Sequence, residues 1–135
     1  MDCLFCKIVN KEIPSEIVYE DDKVVAILDI KPTNPGHALV IPKAHSQNMA
    51  VADEGDLAAL TFAVKKIAPA IVAAVAADGW NLEANNGGAA GQVVEHTHWH
   101  IVPRYKEDGL RHWPGHPYAD GEMRTVGDKI RKAIG

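Results

Sequence analysis

The chain has no surplus of basic residues. Fourteen Lys and Arg stand against eighteen Asp and Glu, a net charge of −4, so no cationic surface argues for a nucleic-acid partner. Long apolar runs are missing too. The most apolar stretch, Ile67 to Ala77, contains Pro69 and is shorter than the about 20 residues that span a bilayer. Asp2, Cys3 and Lys7 interrupt any apolar leader at the N-terminus. There are no repeats, no low-complexity tract and no linker. These absences point to a soluble, cytosolic chain without a membrane partner, and its 135 residues fit a single domain over 1–135 with a sizeable core. Cysteine is scarce. Cys3 and Cys6 are the only two, and their C-x-x-C spacing has three readings. A disulfide is disfavoured in the cytosol. A thioredoxin-like motif follows a first strand, and only two residues precede this pair. The third reading is half a zinc site, which His45 and His96 could complete.

What the chain does have is a row of histidines. His96, His98 and His100 alternate with Thr97, Trp99 and Ile101. On a strand, alternate side chains share a face, so the imidazoles point one way, about 6.6 Å apart. Trp99 and Ile101 then face a core. Internal position and interleaved residues exclude a purification tag. Two chemistries remain: HxH on a strand can ligate catalytic zinc, and an imidazole nitrogen can attack phosphorus to form a covalent intermediate.

The remaining pattern reads as α+β with a mainly antiparallel sheet. Ile17 to Tyr19 and Val24 to Asp29 are strands around a Glu20–Lys23 turn. Pro32, Pro35 and Gly36 mark a loop. His37 to Ile41 is a third strand, stopped by Pro42. Asp53 is positioned to cap a long helix whose stripe is Leu57, Leu60, Val64, Ile67, Ile71 and Val75. Pro69 should kink or split that helix, and Asp78-Gly79 should end it. Trp80 to Asn85 is a fourth strand, and the histidine strand, closed by Pro103, is the fifth. The tail from Gly109 to Tyr118 is irregular, and a short helix follows from Glu122. The glycine-rich loop Asn86–Gly91 lacks the Lys-Ser/Thr of a Walker A loop. Its glycines allow close backbone approach to a phosphate, and it abuts the histidines.

The histidine run fits the pattern His-φ-His-φ-His-φ-φ, with Thr97 a mild departure. Cys3-Leu-Phe-Cys-Lys-Ile, Lys11-Glu-Ile-Pro-Ser, Leu28-Asp-Ile, Pro35-Gly-His-Ala-Leu-Val-Ile-Pro-Lys-Ala-His and Ala90-Gly-Gln-Val-Val-Glu-His extend the match from Cys3 to Arg104. The chain resembles the histidine triad (HIT) nucleotide-binding proteins, in particular the bacterial-type branch that includes purine nucleoside phosphoramidases. The resemblance implies a HIT-like fold and an enzyme attacking the α-phosphate of nucleoside 5′-phosphoramidates or similar nucleotidyl conjugates. His98 would be the nucleophile, and His37 and His100 the flanking imidazoles. Asn85, Gln92 and the Val93 backbone would contact phosphate. Asp29 would accept hydrogen bonds from the ribose hydroxyls of a purine ribonucleotide, and Phe5, Ile8, Leu28, Ile30 and Leu39 would wall the base. Some members carry Ser or Thr where this chain has Val93, which bears on the leaving group. The resemblance further implies a structural zinc on Cys3, Cys6, His45 and His96, and a homodimer with a sheet continuous across its two-fold axis. Three rivals stand beside it: a dinucleoside polyphosphate hydrolase, a nucleotide-sensing binding module with incidental hydrolysis, and a zinc hydrolase using His96, His98 and His100 as ligands.

Overall fold

Val24 to Leu28 and Ala38 to Pro42 are unbroken apolar runs, the pattern of strands covered on both faces. A computed structural model, which describes residues 2–135, forms them into β2 (Val24–Leu28) and β3 (Ala38–Pro42), buried almost throughout. β1 (Ile17–Glu20) pairs with β2 across a turn where Asp21 accepts from the N–H groups of Lys23 and Val24. With β4 (Gly79–Ala84) and β5 (Trp99–Arg104) they make one antiparallel sheet, in the order β1-β2-β3-β5-β4. The α+β expectation holds.

Each face of the sheet has its own cover. α1 (Leu4–Val9) lays Phe5 and Ile8 on Val25, Ile27, Leu39 and Ile41. Each such buried side chain contributes about 1.5–3 kcal/mol. This helix has no capping side chain and is six residues long, so sequence periodicity could not reveal it. α2 (Glu54–Val75) covers the other face, burying Leu60, Val64, Ile67 and Ile71 against Val24, Val40, Trp99 and Ile101. Trp99 and Ile101 lie in this core, as the alternation requires.

Several boundaries and one helix differ from the sequence expectation. α2 runs unbroken through Pro69. Pro69 is exposed, so the Lys65 carbonyl it leaves without a donor is on the wet side, while Ala68 and Ile71 pin the next turn to the sheet. The helix is therefore longer than the Ile67–Ala77 run suggests, and by length and composition it could cross a bilayer; its apolar stripe is used against the sheet instead. It ends at Val75, not at Asp78-Gly79, because Ala76 turns left-handed (φ 53°) and the Ala77 N–H returns to the Val72 carbonyl. A non-glycine residue in that conformation costs about 1–2 kcal/mol and leaves no sequence signal. β4 accordingly starts at Gly79, paired with Arg104, and stops at Ala84. β2 stops at Leu28, one residue before Asp29, and β3 starts at Ala38, one after His37. α3 (Glu122–Ile134) follows the irregular tail and buries none of its residues.

The end of β5 is clasped to the loop before His37. The Asp108 carboxylate accepts from Arg104 Nε (2.8 Å) and Nη2 (3.1 Å), from Asn34 Nδ2 (3.2 Å) and from the N–H groups of Tyr105 and Leu110. The Arg104 guanidinium, helped by these N–H donors, holds the Asp108 carboxyl well below the usual carboxylate range. Asp108→Ala should lower the melting temperature clearly more than Asp128→Ala, which removes only an exposed pair with Arg131. Equal losses in thermal denaturation would show the clasp to be idle.

Candidate active site and metal centre

Pairing of β3 with β5 sets Leu39 opposite His100, and the Asp29 N–H bonds the His37 carbonyl at 2.9 Å. His37, His100 and Asp29 therefore meet on the face that α1 only partly covers. His98 stands next to His100, ring centroids 5.1 Å apart. Phe5 packs edge-on against both His96 and His98, at 6.0 and 4.9 Å. The three imidazoles share a face, although the regular strand begins only at Trp99 and not at His96. Before it, the Thr97 N–H bonds the Ser46 carbonyl (2.8 Å) instead of a strand neighbour.

Hydrogen-bond partners fix the tautomers. The Thr33 N–H donates to His37 Nδ1 at 3.1 Å, so a neutral His37 carries its proton on Nε2. That proton is donated to His100 Nδ1, 2.9 Å away, which leaves the His100 proton on Nε2. His98 Nδ1 lies 2.7 Å from the His96 carbonyl, which can only accept. His98 therefore donates from Nδ1 and keeps a free lone pair on Nε2. Burial pushes all three imidazoles down, and repulsion from His98 and His37 helps take His100 to about 4. At neutral pH the site holds one unprotonated nucleophilic nitrogen beside an N–H donor, an arrangement suited to displacement at an electrophilic phosphorus.

The other expected residues fall into two sets. Asp29 directs Oδ2 toward His37 Nε2 (3.7 Å) while Oδ1 accepts from the Lys31 N–H (2.9 Å), so it also caps its own turn. Asn85 follows β4 directly. Phe5, Ile8 and Leu39 form an apolar wall beside the imidazoles. Leu28 does not join that wall. It packs with the α2 cluster on the opposite face, because residues one apart on a strand alternate sides. Ile30 is 93% exposed, and Val93, 91% exposed, lines a pocket at the cysteine pair with Cys3, His45, Val94 and Glu95. Gln92 is occupied as a clasp: Oε1 accepts from the Gly87 N–H, and Nε2 donates to the carbonyls of Gln47 and Val94. Gly87 and Gly91 have φ near 90°, a conformation open mainly to glycine, and this is what the glycines of that loop are needed for.

Sequence reasoning missed a cavity of about 610 Å³ along β4, lined among others by Thr33, Asn81, Glu83, Asn85, Arg104 and Trp113. The alternation Asn81, Glu83, Asn85 along β4 was a legible signal for it.

A second group lies past Phe5. Here the His96 Nε2–H donates to the Pro42 carbonyl at 2.8 Å, so Nδ1 carries the lone pair. That nitrogen lies 3.5 Å from Cys3 Sγ, 3.6 Å from Cys6 Sγ and 3.1 Å from His45 Nδ1, and Cys6 Sγ is 3.5 Å from His45 Nδ1. Zinc bonds of about 2.3 Å to sulfur and 2.0–2.1 Å to nitrogen imply tetrahedron edges of roughly 3.6 Å (S–N) and 3.3 Å (N–N). The four donors fit such an ion closely. By contrast His96, His98 and His100 do not bring their ring nitrogens together among the described residues; the other converging group is Asp29, His37 and His100, in which His37 already donates its Nε2–H to His100. The three-histidine zinc hydrolase is thus set aside on geometry.

The chain is similar to several known proteins. The chain is 40% identical over 136 residues to adenosine 5′-monophosphoramidase hnt1 of Schizosaccharomyces pombe, covering 99% of both. It is 47% identical over 109 residues to adenylylsulfatase HINT3 of Arabidopsis thaliana, covering 81% of this chain and 55% of that one. A Streptococcus mutans structure superposes with a TM-score of 0.93 at 42% identity, covering 99% of this chain and 86% of that one. A zinc-bound histidine triad family protein from Mycobacterium smegmatis superposes with a TM-score of 0.78 at 35% identity, over 98% of each. The HIT domain family model matches residues 10–107, and the chain belongs to the HIT family.

Proposed function

We propose that the protein hydrolyses nucleoside 5′-phosphoramidates or similar nucleotidyl conjugates through a nucleotidyl-His98 intermediate. The observation that carries this is the His98 tautomer: the His96 carbonyl holds the proton on Nδ1 and aims a lone pair from Nε2. In the first step that pair attacks the α-phosphorus. The P–N bond breaks, and the amine leaves with its electrons, protonated from solvent and hydrogen-bonded by the His100 Nε2–H. His37, hydrogen-bonded to His100 Nδ1, keeps that imidazole oriented. In the second step water attacks phosphorus and gives its proton up to solvent, and the P–Nε2 bond breaks to restore His98. Splitting one displacement into two is the gain of covalent catalysis. The phosphoramidase and adenylylsulfatase names of the two relatives support this reading.

Zinc on Cys3, Cys6, His45 and His96 is part of the proposal, as a closed structural ion that pins the start of α1 to the histidine segment. The zinc-bound relative supports it. Cytosolic residence suits the two free thiols. A homodimer suits the edge strand β4, where Trp80 and Leu82 are exposed.

A panel of adenosine phosphoramidate, lysyl-adenylate and diadenosine polyphosphates, ranked by kcat/KM, tests the substrate. Phosphoramidates and aminoacyl adenylates should lead. If diadenosine polyphosphates lead, the protein is a polyphosphate hydrolase; if wild type turns over none faster than His98→Ala, it is a binding module. The sugar preference is a separate expectation. Asp29 is an acceptor only, and hydrogen bonds from two ribose hydroxyls to a carboxylate contribute roughly 1.5–3 kcal/mol each. AMP should therefore bind about tenfold to a hundredfold more tightly than 2′-deoxy-AMP, and Asp29→Asn should narrow the gap. Equal affinities in calorimetry would leave Asp29 as only the cap of the Lys31 turn.

A further inference from the structure

The cavity along β4 contains a carboxylate that sits across the sheet register from the imidazole row. Glu83 lies directly opposite His100 in the β4–β5 register, and opposed residues of an antiparallel pair share a face with Cβ atoms about 4.5–5.5 Å apart. Glu83 is half-buried and lines the cavity with Asn81, Asn85 and the tail residues Arg111, His112 and Trp113. Among the described residues its side chain makes no ion pair. Its charge offsets a small part of the fall that burial imposes on His37 and also acts on Arg104. The hydrogen bonds of that cation go elsewhere. Arg104 is held by both oxygens of Asp108 and by Asn81, and Arg111 and His112 are exposed on the tail.

The flanks of the imidazole row are unequal. Toward β2, Phe5, Ile8 and Leu39 form an apolar wall and Asp29 faces inward, the flank suited to a nucleoside. Toward β4 lies the polar cavity. A nucleotide with its α-phosphorus over His98 and its base on the first flank leaves its other substituent on the second. Building on the phosphoramidase reading above, we infer that Glu83 makes this cavity a leaving-group subsite selective for amines that carry a second, cationic group. The carboxylate pairs with an ammonium on the departing amine and repels leaving groups that bear carboxylate, sulfate or phosphate.

The test compares three adenosine 5′-phosphoramidates, made from ammonia, from 1,2-diaminoethane and from glycine, so that the leaving group is small and uncharged, cationic or anionic. Wild type should prefer the diaminoethane conjugate over the glycine conjugate by about tenfold in kcat/KM, in line with a partly screened ion pair on one side and repulsion on the other. Glu83→Gln should bring that ratio near one, and Glu83→Lys should invert it. Thermal melting and sedimentation of each variant report fold and assembly. A wild-type ratio near one, or a ratio unmoved in Glu83→Gln, overturns the inference while turnover itself upholds the phosphoramidase reading. Altered sedimentation with an unmoved ratio assigns Glu83 to a contact between copies and also overturns it. No turnover of any conjugate overturns both.

Discussion

His98→Ala should lower turnover of adenosine phosphoramidate by roughly 10³-fold or more, the scale at which covalent nucleophiles act, and still bind AMP. The two halves of this expectation have separate causes. Loss of the imidazole removes the one ring nitrogen of the His37, His98 and His100 group whose lone pair is freed by a backbone acceptor, the His96 carbonyl. Binding relies on Asp29 and on the Phe5, Ile8 and Leu39 wall, which the substitution leaves in place. Steady-state kinetics with calorimetry on the same preparation reads both. Near-native kcat in the variant would remove His98 as the nucleophile, and loss of AMP affinity alongside kcat would make the imidazole a structural group.

Removing zinc should have the second-largest effect, and on stability. Protein prepared without chelator should contain about one zinc per chain, the count of a four-ligand structural site. Four donors that all lie within 4.8 Å of one another, with four of their spacings at 3.1–3.6 Å, are preset for a cation. Metal-free protein should melt about 10 °C lower, the consequence of losing roughly 3 kcal/mol in a domain of this size. Cys6→Ser should follow the same course, with thermal stability falling further than activity per folded molecule. The reason is distance along the chain: α1 and the histidine segment are joined at this point, whereas the His37–His100 relay is held from the Thr33 loop. Absence of zinc in metal analysis, or an unchanged melting temperature after chelation, would leave the cysteines as packing residues.

Much of this was legible in the order of residues. Alternation of His96, His98 and His100 with apolar residues predicted one polar and one core face, and Trp99 and Ile101 are in the core. The C-x-x-C pair and its two histidines converge as the resemblance implied. What escaped was set by tertiary contacts. Pro69 reads as a helix breaker until its exposed position on α2 is known. Leu28 reads as a neighbour of Asp29 in a pocket, but the strand turns it to the other face. The His98 tautomer depends on a backbone carbonyl two residues away, and no residue type encodes that. Glu83 acquires its meaning only from the register that sets it against His100.

The central claim is that His98 is covalently nucleotidylated through Nε2 during turnover. Acid quench of wild-type protein within its first turnover on adenosine phosphoramidate, followed by proteolysis and mass spectrometry, tests it directly. The account predicts an adenylyl group on the peptide that contains His98, localised by fragmentation to that residue and absent from His98→Ala. Rapid product formation with no adenylylated peptide at any quench time, or an adduct on His37 or His100 instead, would contradict it.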